Sequence, residues 1–339
     1  MAPSSTQVLL LSPAELSYLH TSLSLHPPIR PDGRSATQFR PLIAESDILP
    51  GTNGSARICF ADGTEAVVGV KAEVEKSKGG YEGDGEGKRG RNEWVEISVE
   101  IPGLRDDDSM PVFLGAMLSE ALLADGGFVG RLWINSRFHW KLYLDILLLS
   151  QPLSYPLPLL SLTSHLALLS TRLPKLKSEQ DEDPLFDDDW DASVHLYAPN
   201  EARPPVTLLV MAVGDNVIFD PSKEELSVAE VVLAVSVAGK EKGGSGRELK
   251  LLAVRTIDPP SRLTLPGVPN TLNTATGGTA AGSTEAEVAK REGVVEEGVW
   301  QPPRGGAKRK LIAGMIARVL EKGGVADEVL DGLEAVELG

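Results

Sequence analysis

Arg30-Pro31-Asp32-Gly33-Arg34, Gln38-Phe39-Arg40-Pro41 and Asn53-Gly54-Ser55-Ala56 lead into two runs rich in Ile, Phe and Val. These are Arg57 to Ala61 and Thr64 to Val70, and only Asp62-Gly63 lies between them. Asp-Gly between such runs predicts a β-hairpin with a type I′ turn, which needs positive φ at both central residues. Lys71-Ala72-Glu73-Val74 closes the second strand. The stretch is a hairpin behind an arginine-rich lead-in.

On the N-terminal side, Ser12-Pro13-Ala14-Glu15 combines an N-cap, a first-turn proline and a capping-box acid, and predicts a helix over Glu15 to Leu23. Pro27-Pro28 breaks it. On the C-terminal side, 75–92 is Gly, Lys and Glu-rich and reads as a flexible insertion. Its Gly83-x-Gly85-x-Gly87-Lys88 run fails the Walker spacing and lacks a following Ser or Thr, which argues against a phosphate loop.

Glu93 to Ile101 alternates as a strand, with Trp94, Glu96, Ser98 and Glu100 on one face and Val95, Ile97, Val99 and Ile101 on the other. Pro111 to Ala124 has helical apolar spacing. Arg131 to Ile134 and His139 to Leu149 predict a strand pair turned around Asn135-Ser136-Arg137, and Pro158 to Leu173 a helix. Further on, Val206–Val213, Asn216–Asp220, Val228–Ala238 and Leu249–Ile257 predict four more strands. Ala307 to Glu321 is an amphipathic basic helix ended by Gly323-Gly324.

The expected organisation is a lead-in over 1–29, a first half-domain over 30–174, an acidic loop over 175–191 and a second half over 192–264. A mobile insertion over 265–306 and a helical segment over 307–339 follow.

The totals narrow the function classes. The chain has 339 residues, 42% hydrophobic and 24% charged, a composition of globular proteins. One cysteine, Cys59, excludes an internal disulfide, and its strand position predicts a small buried hydrophobe. Five histidines lack metal-ligand spacing, so no zinc site is expected. Met1 to Leu11 has no basic n-region of a signal peptide.

Ile146 to Thr171 carries no formal charge over 26 residues, but Pro152, Pro156 and Pro158 interrupt it, and a strand, loop and helix are expected instead of a membrane span. The net charge of −15 disfavours a free-standing nucleic-acid binder. About half of that excess lies between Glu179 and Asp191, where eight acids and no base predict a solvated, disordered loop.

The ordered motifs of the opening stretch, together with Val70-Lys71-Ala72-Glu73-Val74 and Trp140-Lys141-Leu142-Tyr143-Leu144-Asp145, resemble the ribonuclease PH family, and within it the ring subunits of the RNA exosome. The resemblance implies an α+β fold of the ribosomal-protein-S5 second-domain type, a pseudo-duplicated βαβα core. It implies partners too: other ribonuclease-PH-like subunits in a pseudo-hexameric ring, RNA-binding cap subunits, an associated nuclease, and RNA through a central channel, with no membrane and no cofactor. Nucleus, nucleolus and cytoplasm are the expected locations.

Active members of that family cleave RNA from its 3′ end by phosphorolysis, which needs a cationic phosphate cradle, acids for magnesium and arginines for the RNA backbone. By resemblance, the first acid falls at Asp220 after Val217-Ile218-Phe219, but Leu226 stands where the second is expected; Glu224 or Glu225 is a displaced alternative, and a turn-forming role before Pro221 is the plainer reading of Asp220. Pro152, Leu153 and Ser154 replace the family's phosphate-binding motif, and no Lys or Arg occurs from Leu142 to Thr171. Leu118-Ser119-Glu120 puts an acid where archaeal relatives place an arginine.

Arg131, Arg137 and Lys141 remain as RNA-contact candidates, with exposed solvated charge as the plainer reading of each. The expected function is a catalytically silent ring subunit that threads RNA to a separate nuclease in rRNA maturation and mRNA turnover. The alternatives are an active phosphate-dependent 3′–5′ exoribonuclease using Asp220, and an interaction scaffold outside the exosome working through the acidic tract.

Overall fold

The structure is a computed structural model, and it describes residues 11–77, 90–124, 126–150, 153–178, 182–198, 201–241, 247–263, 270–272, 274, 277–280, 282, 284–293 and 299–337. Among these the elements run α1 (Pro13–Ser24), β1 (Leu42–Ser46), β2 (Gly54–Phe60), β3 (Glu65–Lys76), β4 (Val95–Glu100), α2 (Ser109–Leu123), α3 (Gly127–Gly130), β5 (Phe138–Leu148) and α4 (Leu157–Ser170). They continue with β6 (Arg172–Leu173), β7 (Val194–His195), β8 (Val206–Val213), β9 (Asn216–Phe219), α5 (Lys223–Leu226), β10 (Val231–Glu241), β11 (Arg247–Ile257), α6 (Glu285–Gly293), α7 (Arg309–Val319) and α8 (Val325–Glu334).

The first sheet has the order β1-β2-β3-β5-β4, antiparallel except where β4 runs parallel to β5. A parallel pair needs a crossover, and α2 supplies it. The second sheet has the order β11-β10-β8-β9, and β6 pairs with β7 separately. No helix among the described residues is long and apolar enough to cross a membrane. The Gly83–Lys88 run lies outside the described residues.

The chain divides into two compact units: Met1–Phe39 with Leu208–Ala234 and Val254–Val319, and Arg40–Thr207 with Val235–Ala253 and Leu320–Gly339. In the larger unit, α4 packs on β2 and β3, and α2 on β4. The covered sheet face is apolar: Ala56, Ile58, Val68, Val70, Leu142, Leu144 and Ile146 are all buried. Every residue of α4 is buried, the pattern of a helix enclosed on all sides. Two of its hydroxyls bond within the helix, Thr163 and Ser164 donating to the carbonyls of Leu159 and Leu160 at 2.8 and 2.7 Å, and Ser161 accepts from the Thr207 N–H at 2.7 Å.

Asn53-Gly54-Ser55 joins this helix to the sheet. Asn53 Nδ2 donates to the Arg172 carbonyl at 3.1 Å, while its Oδ1 accepts from the Ala72 N–H at 2.8 Å. The Ser55 N–H donates to Ser170 Oγ at 3.1 Å, and Ser55 Oγ accepts from the Leu49 N–H at 2.9 Å.

His165, also on α4, is fully enclosed, and one ring nitrogen, Nδ1, lies 2.9 Å from the Pro204 carbonyl. Burial pushes its pKa down to about 4, against an ordinary 6.5. The unfolded chain therefore binds the extra proton first, so this group's contribution to stability falls as pH drops from 6.5 to 4 and then levels off. The loss amounts to about 3 kcal/mol at most. Guanidinium titrations of the wild type and His165→Leu across that window should show a shallower pH slope for the variant.

In the smaller unit, α1 starts with the expected capping box: the Glu15 N–H donates to Ser12 Oγ at 3.3 Å and the Ser12 N–H to Glu15 Oε2 at 2.7 Å. Asn216 Nδ2 donates to the Leu23 and Leu25 carbonyls at 2.7 Å, fixing the end of α1 to the start of β9.

Several expectations are corrected. The hairpin turn is not type I′: Gly63 alone of the pair has positive φ, +83°. The Gly63 N–H donates to the Phe60 carbonyl and the Phe60 N–H to the Thr64 carbonyl, which is the three-residue loop with a left-handed glycine. Arg131–Ile134 is not a strand; only Trp133 bridges to His139, and the Leu132 N–H closes a turn onto Val129. Trp94 is buried in a short 3₁₀ turn ahead of β4, stacked on His139 at 4.3 Å, and not part of the strand. Cys59 is only half-buried, because it and Arg57 alternate with the buried Ile58 and Phe60 and point to the opposite face of β2.

The described part of the acidic segment is ordered: Leu176 bridges to Phe186, and Phe186 packs on Trp140 at 5.0 Å. Like charge alone predicts disorder, but one aromatic anchor offsets it. Within 265–306, α6 forms and Trp300 is buried, its N–H donating to Ser17 Oγ at 3.0 Å.

Candidate functional site

The strand-end acid is held by the arginine box. Gly33, at φ +77°, turns the chain so that Arg30 and Arg34 both reach the end of β9. Arg30 grips Glu225 bidentately, Nε to Oε1 at 2.7 Å and Nη2 to Oε2 at 2.8 Å, with both side chains fully buried. The same guanidinium donates to the carbonyls of Phe219 and Asp220 at 3.1 and 2.9 Å. Arg34 Nη1 donates to Asp220 Oδ2 at 2.8 Å and Nη2 to the Asp220 carbonyl at 3.1 Å.

Asp220 is 1% exposed and sits at φ +47°, a left-handed conformation that Asp tolerates better than most residues. It is thus more than a turn-former. Asp32 completes the group, accepting from Arg34 Nε at 2.6 Å and from the Arg34 N–H at 3.1 Å. Burial works against the Asp32 carboxylate, but the Arg34 hydrogen bonds and the charges of Arg30 and Arg34 outweigh it and hold its pKa below the usual carboxylate value.

The displaced-acid alternative loses Glu225 as a free carboxylate here, while Glu224, its other candidate, is half-exposed on α5. Both Glu225 oxygens are engaged by Arg30, and Oε2 also accepts from the Ser222 N–H at 2.8 Å as the capping box of α5. Leu226 is a buried apolar side chain, 6% exposed. Among the described residues no three His, Cys, Asp or Glu side chains are grouped to hold a metal ion.

Around the replaced phosphate motif, Pro152 lies outside the described residues and Leu153 is exposed. Ser154 does meet a cation from elsewhere in the chain: Arg40 Nη1 donates to Ser154 Oγ at 2.9 Å. The local sequence hid this, because Arg40 is 114 positions away. Arg40 also pairs with Asp62 at 2.5 Å and stacks over the Phe60 ring at 4.5 Å. Asp62 is penalised by burial, yet the Thr64 N–H and side chain and the Arg40 charge hold its pKa low, so it neutralises the arginine.

The RNA-contact candidates are also engaged by the protein. Arg131 is not a free solvated charge: it is 20% exposed, pairs with Glu201, donates to the Leu196 carbonyl at 3.2 Å and covers the Tyr197 ring at 4.4 Å. Lys141, 16% exposed, donates to the Glu93 carbonyl at 2.7 Å and lies 3.3 Å from Glu96. Arg137 is the most open at 53% and pairs with Asp183 at 3.3 Å. On α2, Leu118 is buried and Glu120 is exposed.

No family model matches the chain. Among curated proteins it is 34% identical over 232 residues to the exosome complex component RRP42 of Saccharomyces cerevisiae, covering 67% of this chain and 81% of that protein. It is 38% identical over 243 residues to the exosome complex component rrp42 of Schizosaccharomyces pombe, covering 67% and 78%. The exosome complex component Rrp42 of Sulfurisphaera tokodaii is 25% identical over 236 residues, covering 64% and 79%.

Among solved structures, the Archaeoglobus fulgidus exosome with RNA bound to the active site superposes with a TM-score of 0.52 at 21% identity, over 72% of this chain and 87% of that one. An archaeal exosome core gives 0.50 at 21% identity, over 72% and 84%. At that identity the likeness speaks for the fold alone, the ribonuclease PH fold of exosome ring subunits.

Proposed function

The chain belongs to the Rrp42 family of exosome complex components, and we propose that it is a non-catalytic subunit of the pseudo-hexameric exosome ring. In this reading it packs between other ribonuclease-PH-like subunits beneath RNA-binding caps, and supports 3′-to-5′ RNA processing by passing RNA to an associated nuclease. A closed ring of unlike subunits needs two different interfaces on each. We assign it to nucleus, nucleolus and cytoplasm, to be checked by imaging the tagged chain.

The observation that carries the non-catalytic reading is the fate of the acids. Phosphorolysis needs carboxylates free to hold magnesium beside the attacked phosphodiester. Here Arg34 engages Asp220, Arg30 engages both oxygens of Glu225, and Leu226 is apolar. Arg40 beside Ser154 is balanced by Asp62 in the same way.

The test is direct. The chain assembled with its ring subunits, without the associated nuclease, is incubated with 3′-hydroxyl RNA, inorganic phosphate and magnesium. No nucleoside diphosphate above background is expected. Release that disappears on Asp220→Asn would establish the active-exoribonuclease alternative. Mass measurement of the complex recovered with the chain tests ring membership, and recovery without ring subunits would favour a scaffold outside the exosome.

A further inference from the structure

The loop between α3 and β5 carries the features that single-stranded nucleic acid uses. Arg137 is its most exposed cation, Phe138 lies under that guanidinium at 5.6 Å, and Trp133 stacks with Trp94 at 6.4 Å. Cations interleaved with aromatic rings bind phosphates and bases together. The acidic segment lies against this loop. Asn135 Nδ2 donates to the Glu182 carbonyl at 2.8 Å, and the Asp183 carboxylate lies 3.3 Å from Arg137.

One aromatic contact holds the segment to the rest of the fold, and two contacts close it on itself. Phe186 packs on Trp140, the Lys177 N–H donates to the Leu185 carbonyl at 2.8 Å, and Lys177 pairs with Asp187 at 2.9 Å. Asp183, 81% exposed, and Asp188 take no part in these contacts, and Asp189 caps the Trp190–Ala192 turn by accepting from the Asp191 N–H at 3.1 Å, a bond that an asparagine oxygen keeps. The Glu182 carbonyl and the Asp183 carboxylate thus meet Asn135 and Arg137 where the oxygens of an RNA backbone would.

We propose that the acidic segment around Asp183 is an intramolecular competitor for RNA at the Asn135–Phe138 loop, so that RNA and this segment exclude each other at Arg137. This rests on the ring reading above. An arginine released from its carboxylate gains one phosphate contact, which steepens the salt dependence for a single strand by about 0.7 in log–log slope. If that contact vanishes near 1 M salt, the gain at 0.15 M is about fourfold in affinity.

The experiment measures fluorescence anisotropy of a labelled oligouridine against the full chain in its assembled ring, across a salt series. The variant Asp183→Asn/Asp188→Asn/Asp189→Asn leaves the Phe186 and Lys177 anchors intact. A charge-matched control, Asp106→Asn/Glu285→Gln/Glu328→Gln, removes equal charge elsewhere. The expected result is a roughly fourfold gain and a steeper slope for the first variant only, both abolished by adding Arg137→Gln.

An equal gain in the control, or a gain that survives Arg137→Gln, would overturn the competitor role and leave only net charge. No gain, in a ring whose wild type binds RNA, overturns the competitor while the ring reading stands. A chain that joins no ring defeats both.

Discussion

Arg30→Ala is expected to lower the unfolding free energy by about 3–5 kcal/mol, the cost of leaving one member of a buried ion pair without its partner. Arg30 and Glu225 are both fully buried, and the pair is bidentate. Removing the guanidinium takes the counter-charge from the Glu225 carboxylate and a donor from the Phe219 carbonyl in one step, while the Asp220 carbonyl keeps Arg34. Glu225→Gln should cost less, since an amide still accepts from Arg30.

The double replacement Arg30→Met/Glu225→Leu separates pairing from packing. Buried pairs replaced by apolar residues of similar volume are often neutral or better. Recovery of most of the lost stability would assign Arg30 to balancing Glu225; no recovery would assign it to the carbonyls around Asp220. Guanidinium midpoints at pH 7 measure all four proteins, and a loss below about 1 kcal/mol for Arg30→Ala would remove the ion pair from the account of this site.

Gly54→Ala should destabilise by about 1–3 kcal/mol, as overpacking does, and Gly54→Val by more. A Cβ at Gly54 would stand 2.5 Å from Thr171 Oγ1, 2.6 Å from its Cα and 2.7 Å from its N. Two of those three atoms are backbone at the end of α4, which cannot rotate away. The flanking residues show what a shift would break: Ser55 is tied to Ser170 and Leu49, and Asn53 to Arg172 and Ala72. Gly54→Ala with unchanged stability in chemical denaturation would mean that α4 is free to move from β2.

Much of this fold is legible from local rules. The α1 capping box, the buried run of α4 and the antiparallel strands around Asp62-Gly63 follow from capping, charge and periodicity. The turn type was not legible, because Asp-Gly suits both the two-residue loop and the three-residue loop with a left-handed glycine. Arg131–Ile134 misled for a related reason. One arginine followed by three apolar residues does not distinguish a strand from a turn that buries Leu132 and bonds its N–H to Val129.

The site was legible as a subtraction and illegible as an addition. That Leu226 stands six positions after Asp220, and Leu153 and Ser154 in place of a phosphate motif, is written in the sequence. That Arg34 reaches Asp220 across 186 positions, Arg30 reaches Glu225 across 195, and Arg40 reaches Ser154 across 114 is not. Each of these residues was visible as a charge or hydroxyl, but no spacing rule links them.

By itself, then, the sequence determined the alternation of strands and helices, the all-apolar α4 and the family motif, because these depend on neighbours within a turn or a strand. Only the tertiary structure decided which carboxylate each arginine neutralises and that the acidic segment lies on Arg137. A buried or half-buried charge takes the nearest counter-charge in space, and chain closure over more than a hundred residues leaves that choice to packing.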